Sequence, residues 1–231
     1  MECPKCHSHK THKYGHQRGK QRYKCNECGR QFIEVKTERG YDEKTKLLCL
    51  KMYLNGMGFR AIERVTGVHH TTIIGWVKKV SLRLKDVCFT EEIPEITEID
   101  ELQTFVKKNK IWVWTAANKR YPGILNFIVG DRSSETFKKL WKKIKCWHSF
   151  WYVTDKYIVY QIFIDDIDHL TKKSYMTRIE SENTRLRHYL ARLHRRTLCY
   201  SKSSEMLELS IRLLIYYLKY HKIPLPGETI L

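Results

Sequence analysis

The chain has 231 residues, with 43 Lys and Arg against 25 Asp and Glu, a formal net charge of +18 and a pI near 9.5. A surface that basic attracts polyanions, because Lys and Arg that neutralise phosphates release condensed counterions, so nucleic acid is the first partner to expect. No apolar run reaches the ~18 residues needed to span a bilayer, and MECPKCHSHK is not a basic segment followed by an apolar one, so a soluble, intracellular protein without membrane contact is expected.

Residues 1–40 are poor in aliphatic side chains and rich in Cys, His, Lys and Arg, a composition that cannot fill a core and needs a metal instead. Cys3-Pro-Lys-Cys6 and Cys25-Asn-Glu-Cys28 form two CxxC knuckles with 18 residues between them, which lets four thiolates meet one tetrahedral ion. A structural zinc held by Cys3, Cys6, Cys25 and Cys28 is the expectation, with His7, His9, His12 and His16 as surface residues. Tyr14, Arg18, Lys20, Arg22, Tyr23 and Lys24 mix aromatic and positive groups between the knuckles, a pattern that suits either a DNA backbone or a solvated hairpin. The other cysteines, Cys49, Cys88, Cys146 and Cys199, stand singly and read as small buried residues.

From Tyr41 to about Cys88 the period turns helical, with Leu47, Leu50, Leu54, Ile62, Val65, Ile73, Trp76, Val77 and Val80 as the apolar positions and Gly56, Gly58 and Gly67 as breaks. Within it GMGFRAIERVTGVHHTTIIGWVKKV has the layout of a helix-turn-helix: a helix over 60–66, a turn at Gly67-Val68, and a second helix over about 71–80. His69, His70, Thr71, Thr72, Gly75, Lys78 and Lys79 face outward. His70, Thr71 and Thr72 then suit base edges in a major groove, and Lys78 and Lys79 suit phosphates. A plain three-helix bundle shares the period; the basic charge and the preceding metal ribbon favour DNA binding.

Beyond Ile93 the character becomes β. EIPEITEIDELQTF, KNKIWVWTAANK and YPGILNFIVGD read as three antiparallel strands, SSETFKKLWKKI as a helix capped by Ser133 or Ser134, and SFWYVTD as a further strand. A short helix over 157–163, an irregular acidic stretch, a long basic helix from about Met176 to Arg196 and a last helix from about Ser204 to His221 follow. Asp100 sits inside an apolar strand, where an ionised carboxylate is costly unless compensated, and Asp155 closes another strand. Glu180 opens the basic helix, with Arg187 two turns further along the same face, placed to hold a DNA phosphate. Such hard oxygen ligands suit magnesium or manganese, and a pair of ions would serve phosphoryl transfer. Asp131, Asp165, Asp166, Asp168 and Glu182 are competing acids that spacing does not exclude. A strand acid, a strand-end acid and a helix acid in that order suit an RNase H-like nuclease sheet.

The chain as a whole resembles the transposases of the insertion-sequence-one family of small bacterial and archaeal elements. CPKC and CNECGRQF resemble that family's zinc finger, GFRAIERVTGVHHTTIIGWVK its helix-turn-helix, and EIDELQTFV, GDRSSETF, VTDKY and TRIESENTRLRHYLARLHRRTLCYSKS its DDE domain. The resemblance implies that Asp100, Asp155 and Glu180 bind the catalytic metals, with Arg187 as the downstream basic residue. It also implies an enzyme that cleaves element ends and joins the 3′ hydroxyls to target DNA, a homo-oligomer that holds two ends together, and a cytoplasmic, nucleoid-associated site of action. One departure stands out: Glu180-Ser181-Glu182-Asn183 replaces the family's basic residue and Asn soon after the Glu, so Glu182 competes as third acid. The expected fold is multidomain: a zinc ribbon over 1–40, an all-α helix-turn-helix domain over 41–90, and an α/β RNase H-like domain with a mixed sheet in βββαβα order over 91–231. The competing readings are a zinc-dependent DNA-binding regulator, or a catalytically inactive transposase copy, and a nuclease that cuts without joining.

Overall fold

The computed structural model describes residues 1–33, 40–84 and 93–224; Cys88 and the expected boundary near residue 90 lie outside the described residues. The chain divides into two compact units, Met1–Tyr41 and Asp42–Leu231.

The first unit is a three-stranded antiparallel sheet of β1 (Thr11–Gln17), β2 (Lys20–Cys25) and β3 (Gln31–Ile33). Arg18 and Gly19, both at positive φ, make the two-residue turn that joins β1 to β2. The two knuckles repeat one backbone pattern. His7 N–H donates to the Cys3 carbonyl and Gly29 N–H to that of Cys25, while the amides of Cys3 and Cys25 donate to the carbonyls of Ser8 and Arg30. Among the described residues of this unit little is buried besides Cys3 and Cys25, and they form no apolar core, in keeping with the composition.

The second unit begins with α1 (Glu43–Tyr53), α2 (Phe59–Thr66) and α3 (His70–Ser81). Gly67 ends α2 at φ 73°, a left-handed conformation that glycine adopts without Cβ strain, and His69 caps α3. Leu50, Leu54, Ile62, Ile73, Val77 and Val80 are buried as their period requires, whereas Val65 is 64% exposed, because the packed stripe of the short α2 is centred on Ile62. These helices share one core with α7 (Ser204–Tyr220), through Leu207, Ile211 and Leu214, and with one face of the following sheet. Arg192, itself buried, lies over the rings of Tyr53 and Phe59 and donates to Ser201 Oγ, so the helical segment is tied to the turn behind that sheet.

The sheet has five strands in the order β6-β5-β4-β7-β8: β4 (Ile96–Val106), β5 (Asn109–Asn118), β6 (Ile124–Gly130), β7 (Trp151–Thr154) and β8 (His169–Thr171). β4, β5 and β6 are antiparallel neighbours, while β4–β7 and β7–β8 are parallel. α4 (Ser134–Ile144), capped by Ser133, covers one face with Phe137, Leu140 and Ile144 against Ile99 and Trp114. α5 (Ile158–Gln161) adds Tyr160 to that cluster, and α6 (Thr177–Tyr189) packs on the opposite face. Each fully buried large apolar side chain here contributes about 1.5–3 kcal/mol.

Three expectations are corrected. α6 stops at Tyr189 instead of continuing to Arg196, because Leu190 turns extended and Leu190, Ala191 and Leu193 bury themselves in a tight turn. The acidic stretch contains β8, a three-residue strand whose edge position beside β7 leaves no sequence period to detect. Cys146 and Cys199 are exposed, unlike the buried Cys49.

Candidate functional site

In the first unit the thiols of Cys3, Cys6, Cys25 and Cys28 all lie within 4.8 Å of one another. Cys3 Sγ is 3.5 Å from Cys28 Sγ, and Cys6 Sγ is 3.6 Å from Cys25 Sγ. Zinc–sulfur bonds of about 2.3 Å give tetrahedral edges of roughly 3.8 Å, so the cluster has the size zinc requires. Burial disfavours the Cys3 thiolate, yet the N–H groups of Lys5 and Cys6 and the neighbouring thiols draw Cys3 down to about 6. Cys6 has the Ser8 backbone in its favour but is pushed up to about 12 by Cys28, Cys25 and Cys3. Four thiols this close cannot all ionise without a cation between them, and the residues fit a structural zinc with no open position. On the adjoining strands, Arg22 and Lys24 both lie over the Tyr14 ring, at 5.0 and 5.2 Å.

In the second unit β4 carries acids on both faces. Glu98 and Asp100 point toward α6, whereas Glu101 points toward α5. The parallel register pairs Glu98 with Val153, so Asp100 and Asp155 both lie two residues beyond that pair, where β7 ends and β4 continues. Burial, reinforced by the Glu101 and Asp155 carboxylates, pushes Asp100 up to about 6. Its Oδ2 accepts from Asn183 Nδ2 at 2.9 Å, and Thr115 Oγ1 donates to Asn183 Oδ1 at 2.9 Å, which fixes the amide's orientation. Asp155 is half-buried, and its Oδ1 accepts from Tyr157 N–H at 2.8 Å. A desolvated carboxyl beside a second one, with a single amide as its side-chain partner, is a donor set that fits a hard divalent cation.

Sequence reasoning did not pick out the groups that hold this pair. Glu98, wholly buried, accepts from Ile179 N–H at 2.8 Å in the first turn of α6 and from Lys119 Nζ at 2.9 Å. It therefore pins the start of α6 to the sheet. Glu101 accepts from Tyr160 Oη at 2.5 Å and pairs with Arg132, whose guanidinium lies between the rings of Trp112 and Tyr157. Burial raises the Glu101 carboxyl, and Tyr160 and Arg132 work against that rise. Arg132 thus neutralises Glu101 and places its charge near Asp155.

Glu180 is exposed in the first turn of α6, on the face that carries Asn183 and Arg187 one and two turns later. Asp100 and Asp155 neighbour one another, but the carboxylates of Asp100, Asp155 and Glu180 do not form a group within 4.8 Å among the described residues. Arg187 donates to the carbonyls of Leu193 and Gln103 at 2.8 and 3.0 Å. Of the competing acids, Glu182 is buried, accepts from Gly123 N–H and both its oxygens meet Arg185. Asp131 accepts from the hydroxyls of Ser133 and Thr136, which hold its carboxyl below the usual range. Asp165 and Asp166 are exposed on the loop before β8, and Asp168 is half-buried there.

On α3, Thr71 and Lys79 are exposed and Thr72 is half-buried. His70 Nδ1 lies 2.8 Å from Glu63 Oε2, and Lys78 Nζ donates to Glu205 on α7 at 3.0 Å.

A basic chain with a four-thiol cluster and a mixed sheet bearing a desolvated carboxyl beside a second one has parts in common with proteins that process nucleic acid. Comparison with known proteins makes this specific. The IS1 transposase family model matches residues 95–222, from the start of β4 to just past α7. The chain is 34% identical over 115 residues to the insertion element iso-IS1n protein InsB of Shigella dysenteriae, covering 49% of this chain and 88% of that one. It is 30% identical over 111 residues to the IS1 protein InsB of Shigella flexneri, covering 47% of this chain and 85% of that one. The chain belongs to the IS1 transposase family. Among the described residues no helix is long and apolar enough to cross a membrane.

Proposed function

We propose that this chain is a DNA transposase that binds the terminal repeats of an insertion element, cleaves phosphodiesters at its ends and joins the 3′ ends to target DNA. The observation that carries the reading is the place of Asp100: a carboxyl inside β4, level with Asp155 at the end of β7 and held by the single amide of Asn183, with burial and the adjacent Glu101 and Asp155 carboxylates raising it to about 6. A carboxyl so placed is a candidate cation ligand. Asp100, Asp155 and Glu180 would hold magnesium or manganese, which supplies Lewis-acid polarisation and activation of the attacking oxygen in phosphoryl transfer.

The protein's own residues prepare that site. Asn183 orients Asp100, and Glu98 with Lys119 anchors α6, the helix that carries Glu180. Arg187, bonded to two carbonyls, braces the far end of α6 against β4 and the 191–193 turn, and its charge lies near enough to Asp100 to favour a bound phosphate there. The strand order, three antiparallel strands followed by two parallel ones, supports an RNase H-like assignment for the segment 91–231. In the segment 41–90, Thr71, Thr72 and His70 would meet base edges, while Lys79 and Lys78, the latter after release from Glu205, would meet phosphates. In the segment 1–40 zinc would fold the ribbon, and Tyr14 with Arg22 and Lys24 would lie along the DNA backbone. Two element ends must be held at once, so the protein would work as a homo-oligomer on DNA at the nucleoid.

The test incubates purified protein with labelled element ends, target duplex and magnesium or manganese. Asp100→Ala, Asp155→Ala and Glu180→Ala are each expected to abolish cutting and joining while end binding persists. Strand joining by all three variants would refute the triad. Activity in Glu180→Ala but not Glu182→Ala would move the third acid, and wild-type end binding without any cutting would favour a zinc-dependent regulator.

A further inference from the structure

One group of ligand atoms outside the thiol cluster and the sheet carboxylates converges: Glu63 near the end of α2, and His69 and His70 at the start of α3, with donor atoms all within 4.8 Å of one another. His70 Nδ1 is 2.8 Å from Glu63 Oε2, and His69 Nε2 is 3.6 Å from Glu63 Oε1. An ion bound tetrahedrally through nitrogen and oxygen at about 2.0–2.1 Å needs ligand edges of roughly 3.3 Å, which lies between those two separations. The imidazoles are held side by side, with ring centroids 4.3 Å apart and planes tilted by 37°. His69 Nδ1 is 2.7 Å from Thr71 Oγ1. Nδ1 also accepts the Thr71 N–H at 3.4 Å as the cap of α3. A metal on Nε2 would place the ring proton on Nδ1, donated to the Thr71 hydroxyl in exchange for that long cap bond, the outer-shell arrangement that metal-binding histidines use. The side chains of Glu63, His69 and His70 are 30, 60 and 27% exposed, so the group is shaped yet open to a water as fourth ligand.

We propose that Glu63, His69 and His70 form a second metal site, independent of the ribbon and of the sheet carboxylates, that takes a borderline divalent ion of the zinc class through two imidazoles and a carboxylate. A cation at the positive end of the α3 dipole is opposed by that dipole, and the Glu63 carboxylate supplies the charge that offsets it. The ion bridges α2 to the first turn of α3 across the Gly67 turn, so its binding fixes the angle between the two helices. This inference stands apart from the reading of the sheet as a catalytic site.

The experiment strips the full chain of metal and titrates Zn2+ against a chromophoric chelator, with far-UV circular dichroism to monitor the helices. Wild type is expected to take two equivalents. Glu63→Gln and His69→Ala are each expected to weaken the second equivalent at least roughly tenfold and leave the first intact, and Asp100→Asn retains both. His69 is exposed and carries no core contact, and the circular dichroism reads whether losing its cap on α3 disturbs the helices, so its variant keeps the test valid should Glu63→Gln disturb the fold. A single equivalent in wild type overturns the proposal. So does a second equivalent that survives both substitutions or is lost in Asp100→Asn.

Discussion

Asp100 is the residue at which stability and chemistry pull in opposite directions. Unfolded, its carboxyl titrates near 3.8; folded, burial and the neighbouring acids move it to about 6. Between those values the native state holds more protons than the unfolded chain, so stability falls as pH rises through that window and stays lower above it. Asp100→Asn, whose amide oxygen still accepts from Asn183, is therefore expected to stabilise the chain by roughly 1–3 kcal/mol at pH 7 in magnesium-free buffer and to flatten the slope between pH 4 and 6. Urea melts across that range measure both; a less stable variant would contradict the assignment. Asp100 was legible in the sequence because an acid in an apolar strand breaks its own pattern. Glu98, Glu101 and Asn183 were not singled out, since their roles lie in partners distant in the chain, such as those 81 and 83 residues away from Glu98 and Asn183. For the third acid, the fold adds that Glu182 is engaged by Arg185 and Gly123 while Glu180 is exposed.

At the scale of elements, α6 depends on β4. Glu98 satisfies an orphan N–H at the start of the helix and pairs with Lys119, which also donates to the Tyr175 carbonyl just before the helix begins. Glu98→Ala leaves Lys119 and the helix end without that carboxylate, and Lys119→Met leaves a buried, unpaired Glu98. Each is expected to cost about 2–4 kcal/mol in urea denaturation. A loss below about 0.5 kcal/mol would match an exposed pair instead. The β4–β6 strands, the Ser133 cap of α4 and the α2–α3 turn at Gly67 were readable because each has a local cause in alternation, capping or glycine. β8 and the early end of α6 were not, because one is too short to show a period and the other is ended by Leu190 and its neighbours seeking the core.

At the scale of the whole molecule, the described residues of the ribbon form no apolar core, while the helices over 43–81 share theirs with α7 and the sheet. Removing zinc with a chelator is expected to unfold the β1–β3 ribbon and leave the second unit folded, as read by amide exchange on the full chain. A ribbon that stays protected without metal would contradict its dependence on the thiols. The net charge of +18 predicts that end binding weakens steeply with salt, as a linear fall of log affinity against log salt. A salt-independent affinity would mean that phosphate contacts contribute little. The central claim is that Asp100, Asp155 and Glu180 share catalytic metal, and anomalous diffraction from crystals of the DNA-bound protein soaked in manganese tests it most directly. The expected result is anomalous density within coordination distance of the Asp100 and Asp155 carboxylates, with Glu180 drawn onto it; manganese bound by Glu182 or by Asp165 and Asp166, with Asp100 free, would contradict it.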